Sequence, residues 1–194
     1  MKIKIGIPRG FLYYRDYILF KNFFEGIGCT VLLSAPSNRS IIEDGKKLAV
    51  DESCLPFKIY LGHVKYLENK GIPSFLKIDV GLEDEDGGMQ VLKEIPNLEK
   101  RLEKAKSYGI VGTKMRSVIK EYNEYGIKKV IEQQFSLAKI IIAHGLIPII
   151  EPEVDIHAQN KKQIETFMRS DILRNLDKTK KEDYLMFKFT LPEV

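Results

Sequence analysis

Four charged residues recur at intervals of 37 along the chain: Lys77, Lys114, Glu151 and Lys188. Each stands in an apolar run with strand character, namely FLKIDV, IVGTKMRS, IPIIEPEV and LMFKFTLP. That interval is the length of a strand plus a helix and its turns, so it predicts parallel strands joined by helices, with one charge on each. In three of the runs a charged partner follows two positions later: Asp79 after Lys77, Arg116 after Lys114 and Glu153 after Glu151. Side chains two apart on a strand share a face, so one face of the sheet is expected to be lined with charge. Solvated antiparallel strands would give similar runs. The long amphipathic segments between them favour strand–helix alternation and a covered parallel sheet.

The chain has 194 residues, of which 44% are hydrophobic, enough for one well-buried domain or two small ones. No apolar run approaches the roughly 20 residues of a membrane span. The opening MKIKIGIPRG reads as a first strand and not as a signal peptide, so a cytoplasmic protein is expected. The formal net charge is +4, and residues 71–194 hold 20 basic and 20 acidic side chains. Without a basic stripe interleaved with aromatics, nucleic acid is not an expected partner. Inward lysines and arginines suit a small anionic ligand such as a phosphate. The two cysteines, Cys29 and Cys54, are expected as free thiols, since two alone complete neither a zinc site nor an iron–sulfur site.

Along the chain, IKIGI reads as a first strand and residues 11–28 as an aromatic-rich helix. Its Tyr14, Ile18, Phe23 and Ile27 fall near helical spacing and are expected in the core. TVLLSA is a second strand, and Ser37 or Asn38 is expected to start the next helix. Pro56 is expected to break the stretch that follows, with helix afterwards. From Pro73 on, the four charged strands alternate with helices near 97–108, 127–144 and 161–176, with LEDEDGG as an acidic glycine loop. The fold class expected is α/β, a parallel sheet of about six βα units, with a tight join near residues 66–72 and one sheet feasible across it. No helix follows the last strand to cover it, so an open edge or a homo-oligomer is expected.

Lys188, between Phe187 and Phe189, is the residue expected to be desolvated enough to supply a neutral amine that attacks a carbonyl. Lys114 and Arg116 on a nearby strand would favour that amine further. Glu151, among apolar neighbours, is expected to be tuned upward for proton transfer, with Glu153 assisting.

GTKMRS, EQQFSLAKIIIAHGLIPIIEPEVDIHAQ, MFKFTLP and FLKIDVGL, spanning residues 67–194, closely resemble class I fructose-bisphosphate aldolase of the bacterial type. The resemblance implies part of a TIM barrel, corresponding to the family's third to sixth strands, and cleavage of fructose 1,6-bisphosphate through a lysine Schiff base without a cofactor. It implies Lys188 as the Schiff-base lysine and Glu151 and Glu153 as acid–base groups. Lys114 and Arg116 would contact a sugar phosphate such as fructose 1,6-bisphosphate or dihydroxyacetone phosphate, with Lys77 and Asp79 in support. The family's first two and last two strands have no counterpart here, nor do the aspartate and phosphate-binding loops they carry, so a truncated, inactive derivative is the other form of this expectation.

Residues 1–66 differ in kind. IGIPRGFLYYRDY, LLSAPSNRSIIEDGKKLAVDESCLP and KIYLGHV resemble proteins related to 2-hydroxyacyl-CoA dehydratases and their ATP-dependent activators. The resemblance implies a Rossmann- or flavodoxin-like βαβ segment, with Cys54 of DESCLP as an iron–sulfur ligand whose companion cysteines this chain lacks. Two functions are therefore expected in competition: a Schiff-base lyase, or a non-catalytic α/β module associated with acyl-CoA dehydratase activators.

Overall fold

The computed structural model describes residues 3–193. The chain forms two compact units that divide between Ser74 and Phe75. This division lies two residues past the stretch 66–72 in which the join is expected.

The first unit runs β1 (Lys4–Ile7), α1 (Tyr13–Gly26), β2 (Thr30–Leu33), α2 (Arg39–Leu48) and α3 (Leu55–Glu68). β1 and β2 are parallel, with Lys4 opposite Thr30 and Ile7 opposite Leu33, which makes the start of the chain a βαβ unit. Asn38 caps α2 by accepting the Ile41 N–H at 3.1 Å. Pro56 does not interrupt a helix but opens one: it lies in the first turn of α3, where a missing N–H costs nothing. α2 and α3 meet backbone to backbone, because a Cβ at Gly45 would strike the Lys58 carbonyl and one at Gly62 the Ile41 carbonyl.

The core of this unit is small: among the described residues Ile7, Tyr13, Ile41 and Leu67 are its buried apolar side chains. Here the helical spacing of α1 misleads. Tyr14, Ile18, Phe23 and Ile27 are all exposed, and only Tyr13 of this helix is buried. A two-stranded sheet offers little surface to cover, so the rings pack on each other instead, Tyr13 stacking on Tyr17 at 4.7 Å between centroids.

The second unit runs β3 (Phe75–Lys77), β4 (Met89–Gln90), α4 (Leu98–Ser107), β5 (Gly112–Ile119), α5 (Glu124–Ala143), β6 (Ile147–Val154), α6 (Lys161–Leu176) and β7 (Met186–Phe187). Its sheet has the order β3-β5-β6-β7, all parallel, and β4 pairs antiparallel with the end of β5. The α/β architecture with parallel strands follows the alternation in the sequence. Among the described residues the strands form two sheets, one per unit, where one sheet across the join was feasible from the sequence. The antiparallel β4 lies just after the acidic glycine loop, where Gly87 and Gly88 adopt φ of 54° and 79° and turn the chain back.

Alternation sorts the faces of β5 and β6. Met115 and Ile119 of β5 and Ile150 and Val154 of β6 enter one core with Leu102 of α4, Ile127 and Ile131 of α5, and Ile164 and Met168 of α6. Each such side chain, fully buried, contributes about 1.5–3 kcal/mol. Lys114, Arg116, Glu151 and Glu153 are left on the opposite face. Among the described residues, no helix is long and apolar enough to cross a membrane.

Candidate functional site

Glu151 is the centre of the charged face. It precedes Pro152, which biases it toward the extended backbone of a strand, and its side chain is 2% exposed. Its Oε1 accepts a hydrogen bond from the Lys188 ammonium, and Oε2 is 2.6 Å from Lys114 Nζ. The structure thus joins three of the four residues of the 37-residue series in one Lys–Glu–Lys cluster. Burial pushes the Glu151 carboxyl upward, but the ammonium groups of Lys114 and Lys188 outweigh it and hold the group below its ordinary value of 4.5. The upward tuning expected from its apolar neighbours is therefore reversed, because those neighbours lie on the helix side of the sheet and two cations face the carboxylate.

Lys188 follows β7, and its N–H extends the ladder by donating to Ile150 at 2.9 Å. Phe187 and Phe189 stack on each other at 5.5 Å on the other side of the strand. The burial expected from those two rings is not found: the Lys188 side chain is 61% exposed, with the ammonium on Glu151. Lys114 is more enclosed, at 25%.

The remaining residues form two satellite pairs. Arg116 donates to Glu153 at 3.4 Å, a long contact at the surface. Lys77 is in register with Lys114 but turns its ammonium to Asp79, 2.6 Å away, and not to Glu151. The carboxyl end of Asp79 is enclosed, its side chain 4% exposed, and its Oδ2 has no hydrogen-bond partner among the described residues. Cys54 stands apart in the first unit as an exposed free thiol at the N-cap of α3, and Cys29 is also free. Among the described residues, no three His, Cys, Asp or Glu side chains are grouped to hold a metal ion.

One residue of the site goes beyond the charge pattern. Gln134 of α5 is fully buried and clasps the Glu151 peptide from the helix side. Its Nε2 donates to the Glu151 carbonyl at 3.0 Å and to Ser117 Oγ at 2.9 Å, and its Oε1 accepts the Glu151 N–H at 3.2 Å. A signal for it exists in the sequence: Gln134 is a polar residue on the apolar stripe of Ile127, Val130, Ile131, Ala138 and Ile141. A polar side chain at such a position is retained only if it is hydrogen-bonded.

Chemically, a carboxylate in contact with an exposed ammonium can take a proton from it. A second ammonium beside the same carboxylate can hold an anionic group of a ligand.

Residues 4–76 match the family described as the CoA enzyme activase uncharacterised domain. Among solved structures, the chain is similar to fructose-bisphosphate aldolase from Plasmodium falciparum at 16% identity and a TM-score of 0.47, over 90% of this chain and 56% of that one. It is also similar to the arginine decarboxylase of Paramecium bursaria Chlorella virus bound to agmatine, at 16% identity and a TM-score of 0.40, over 66% of this chain and 36% of that one. The chain thus spans little more than half of the first and about a third of the second. These likenesses are too distant to assign an activity.

Proposed function

We propose that the two units carry separate roles. The first is a module of the CoA enzyme activase kind that associates with an acyl-CoA dehydratase and its ATP-dependent activator, a reading supported by the family match over residues 4–76. Mixing the full chain with a purified dehydratase and activator is expected to give a complex that elutes together on size exclusion. Separate elution at all ratios removes the reading.

For the second unit we infer amine–carbonyl chemistry on a ketose phosphate such as fructose 1,6-bisphosphate or dihydroxyacetone phosphate. The observation that carries it is the contact of Lys188 with Glu151, backed by Lys114. Glu151 accepts a proton from the Lys188 ammonium, and the freed amine bonds to the carbonyl carbon. The carbonyl oxygen, protonated in turn, leaves as water with a proton returned by Glu151, and an iminium forms. In fructose 1,6-bisphosphate the bond one carbon removed from the iminium carbon then breaks: its electron pair enters the iminium to give an enamine, the hydroxyl on the departing carbon gives its proton to Glu151, and that fragment leaves as an aldehyde. Lys114 offers its charge to the substrate's phosphate or oxyanion. The motif resemblance over residues 67–194 supports the same reading.

Borohydride reduction in the presence of dihydroxyacetone phosphate is expected to fix a triose phosphate adduct on Lys188, read by peptide mass spectrometry and lost in Lys188→Ala. An unmodified Lys188 in the intact chain ends this reading and leaves that of the first unit standing.

A further inference from the structure

His63 of α3 is fully buried, and both of its ring nitrogens meet serine hydroxyls: Nδ1 is 2.9 Å from Ser34 Oγ, and Nε2 is 2.9 Å from Ser37 Oγ. Ser34 is buried while Ser37 is exposed, so this chain of contacts leads from the interior to a hydroxyl that solvent reaches. Ser34, just after β2, is anchored to Arg9, just after β1. The Arg9 peptide N–H donates to Ser34 Oγ at 2.9 Å, and its Nε donates to the Ser34 carbonyl at 2.6 Å. The cluster therefore stands at the carboxyl ends of two parallel strands, where open α/β sheets form their ligand crevices. Burial, and then the charge of Arg9, hold the His63 ring below its ordinary value of 6.5, so at neutral pH it is uncharged and has a lone pair to receive a proton.

A hydroxyl on one nitrogen of a neutral imidazole, with a third group orienting the other nitrogen, is the arrangement that activates an oxygen nucleophile. Ser37 also immediately precedes the N-cap of α2. Asn38 occupies the Ile41 N–H, and the N–H groups of Arg39 and Ser40 in the first turn have no carbonyl available to them within the helix. Such donors, next along the chain from a serine, suit a developing oxyanion.

We propose that Ser37 is a nucleophile for acyl transfer from an ester or thioester, with His63 as its general base and Ser34 as the group that positions the imidazole. Ser37 Oγ bonds to the acyl carbon while its proton passes to His63 Nε2 and Nδ1–H donates to Ser34 Oγ. The alcohol or thiol leaves with the proton from Nε2, and the acyl group stays on Ser37. Water then attacks the acyl carbon, gives its proton to Nε2, and releases the carboxylic acid as Ser37 regains its hydrogen. This site and the lysine cluster use different residues, so one can fail without the other.

The test is incubation of the full chain with a fluorophosphonate, whose P–F bond breaks as a Ser37 O–P bond forms, with adducts located by peptide mass spectrometry. Exposed Ser40 is the reference within the same molecule. Ser37 is expected to react about 100-fold faster than Ser40, the scale of general-base assistance. Ser37→Ala is expected to abolish both the fast adduct and the hydrolysis of p-nitrophenyl acetate, and His63→Gln, its fold checked by circular dichroism, to remove the excess rate. Equal labelling of the two serines, no adduct on either, or an unchanged rate in folded His63→Gln overturns the proposal. The ratio of Ser37 to Ser40 needs no variant and decides the matter even if His63→Gln does not fold.

Discussion

Each unit buries an ionisable side chain, and the two are kept in opposite charge states. In the first unit His63 is enclosed by serine hydroxyls with Arg9 nearby, and burial and that cation both favour the uncharged ring. In the second, Glu151 suffers the same desolvation but stays ionised, because Lys114 and Lys188 outweigh it. Depth of burial alone therefore does not predict charge; the sign of what faces the group does. The cores differ in the same direction. Among the described residues the first unit buries four apolar side chains around a two-stranded sheet, while three helices and the sheet of the second share one extended cluster.

The largest effect that would sharpen this contrast comes from the core. Ile131→Ala, at a fully buried position, is expected to cost about 2–5 kcal/mol in the second unit. Phe23→Ser on the exposed face of α1 is expected to change stability by no more than about 0.5 kcal/mol. Urea unfolding with hydrogen exchange read residue by residue checks both, and losses of equal size would erase the difference in core depth. Next comes Glu151→Gln. Removing one member of a fully buried ion pair costs about 3–5 kcal/mol. Lys188 is largely in solvent, which reduces the expected loss to about 1–2 kcal/mol, measured as a shift in the urea midpoint. No loss would mean that the carboxylate charge is not held by its lysines.

Acid separates the units by order. His63 has a folded value below its ordinary 6.5, so the unfolded chain binds more protons, and its contribution is complete above that pH and lost as pH falls toward the folded value. Glu151 is also depressed, from 4.5, so its contribution persists until pH falls below that point and toward its own folded value. Amide protection, corrected for the intrinsic exchange rate, is thus expected to weaken first in the first unit on acidification. Simultaneous loss, or the reverse order, would break the comparison.

Much of this was legible in the residues. The spacing of Lys114, Glu151 and Lys188, and the alternation around them, predicts parallel strands with charges on a shared face, because periods of two and 3.6 are written directly into side-chain order. The α6 range of Lys161–Leu176 and the cap at Asn38 follow from equally local signals. What escaped depends on partners far away in sequence. α1 carries a stripe like that of a core helix, but how much sheet lies beneath it is not a property of α1. Lys188 sits between two phenylalanines in sequence, yet both rings go to the opposite face. The clasp of Gln134 on Glu151 and the approach of Ser34 and Ser37 to His63 join residues 17 to 29 apart, distances that no local pattern encodes.

The register of the second sheet has one further consequence. Lys77 faces Lys114 and Ile150 faces Phe187, both 37 apart, but across β5 and β6 Lys114 faces Ile149, so Glu151 lies two residues higher. At about 3.3 Å per residue that step is roughly 7 Å. Lys114 spans it with the four-carbon stem of its side chain, leaning along the strand to reach a carboxylate that is not beside it. Side-chain reach thus acts as a ruler at position 114: a cation on a shorter stem would keep its charge and lose its partner.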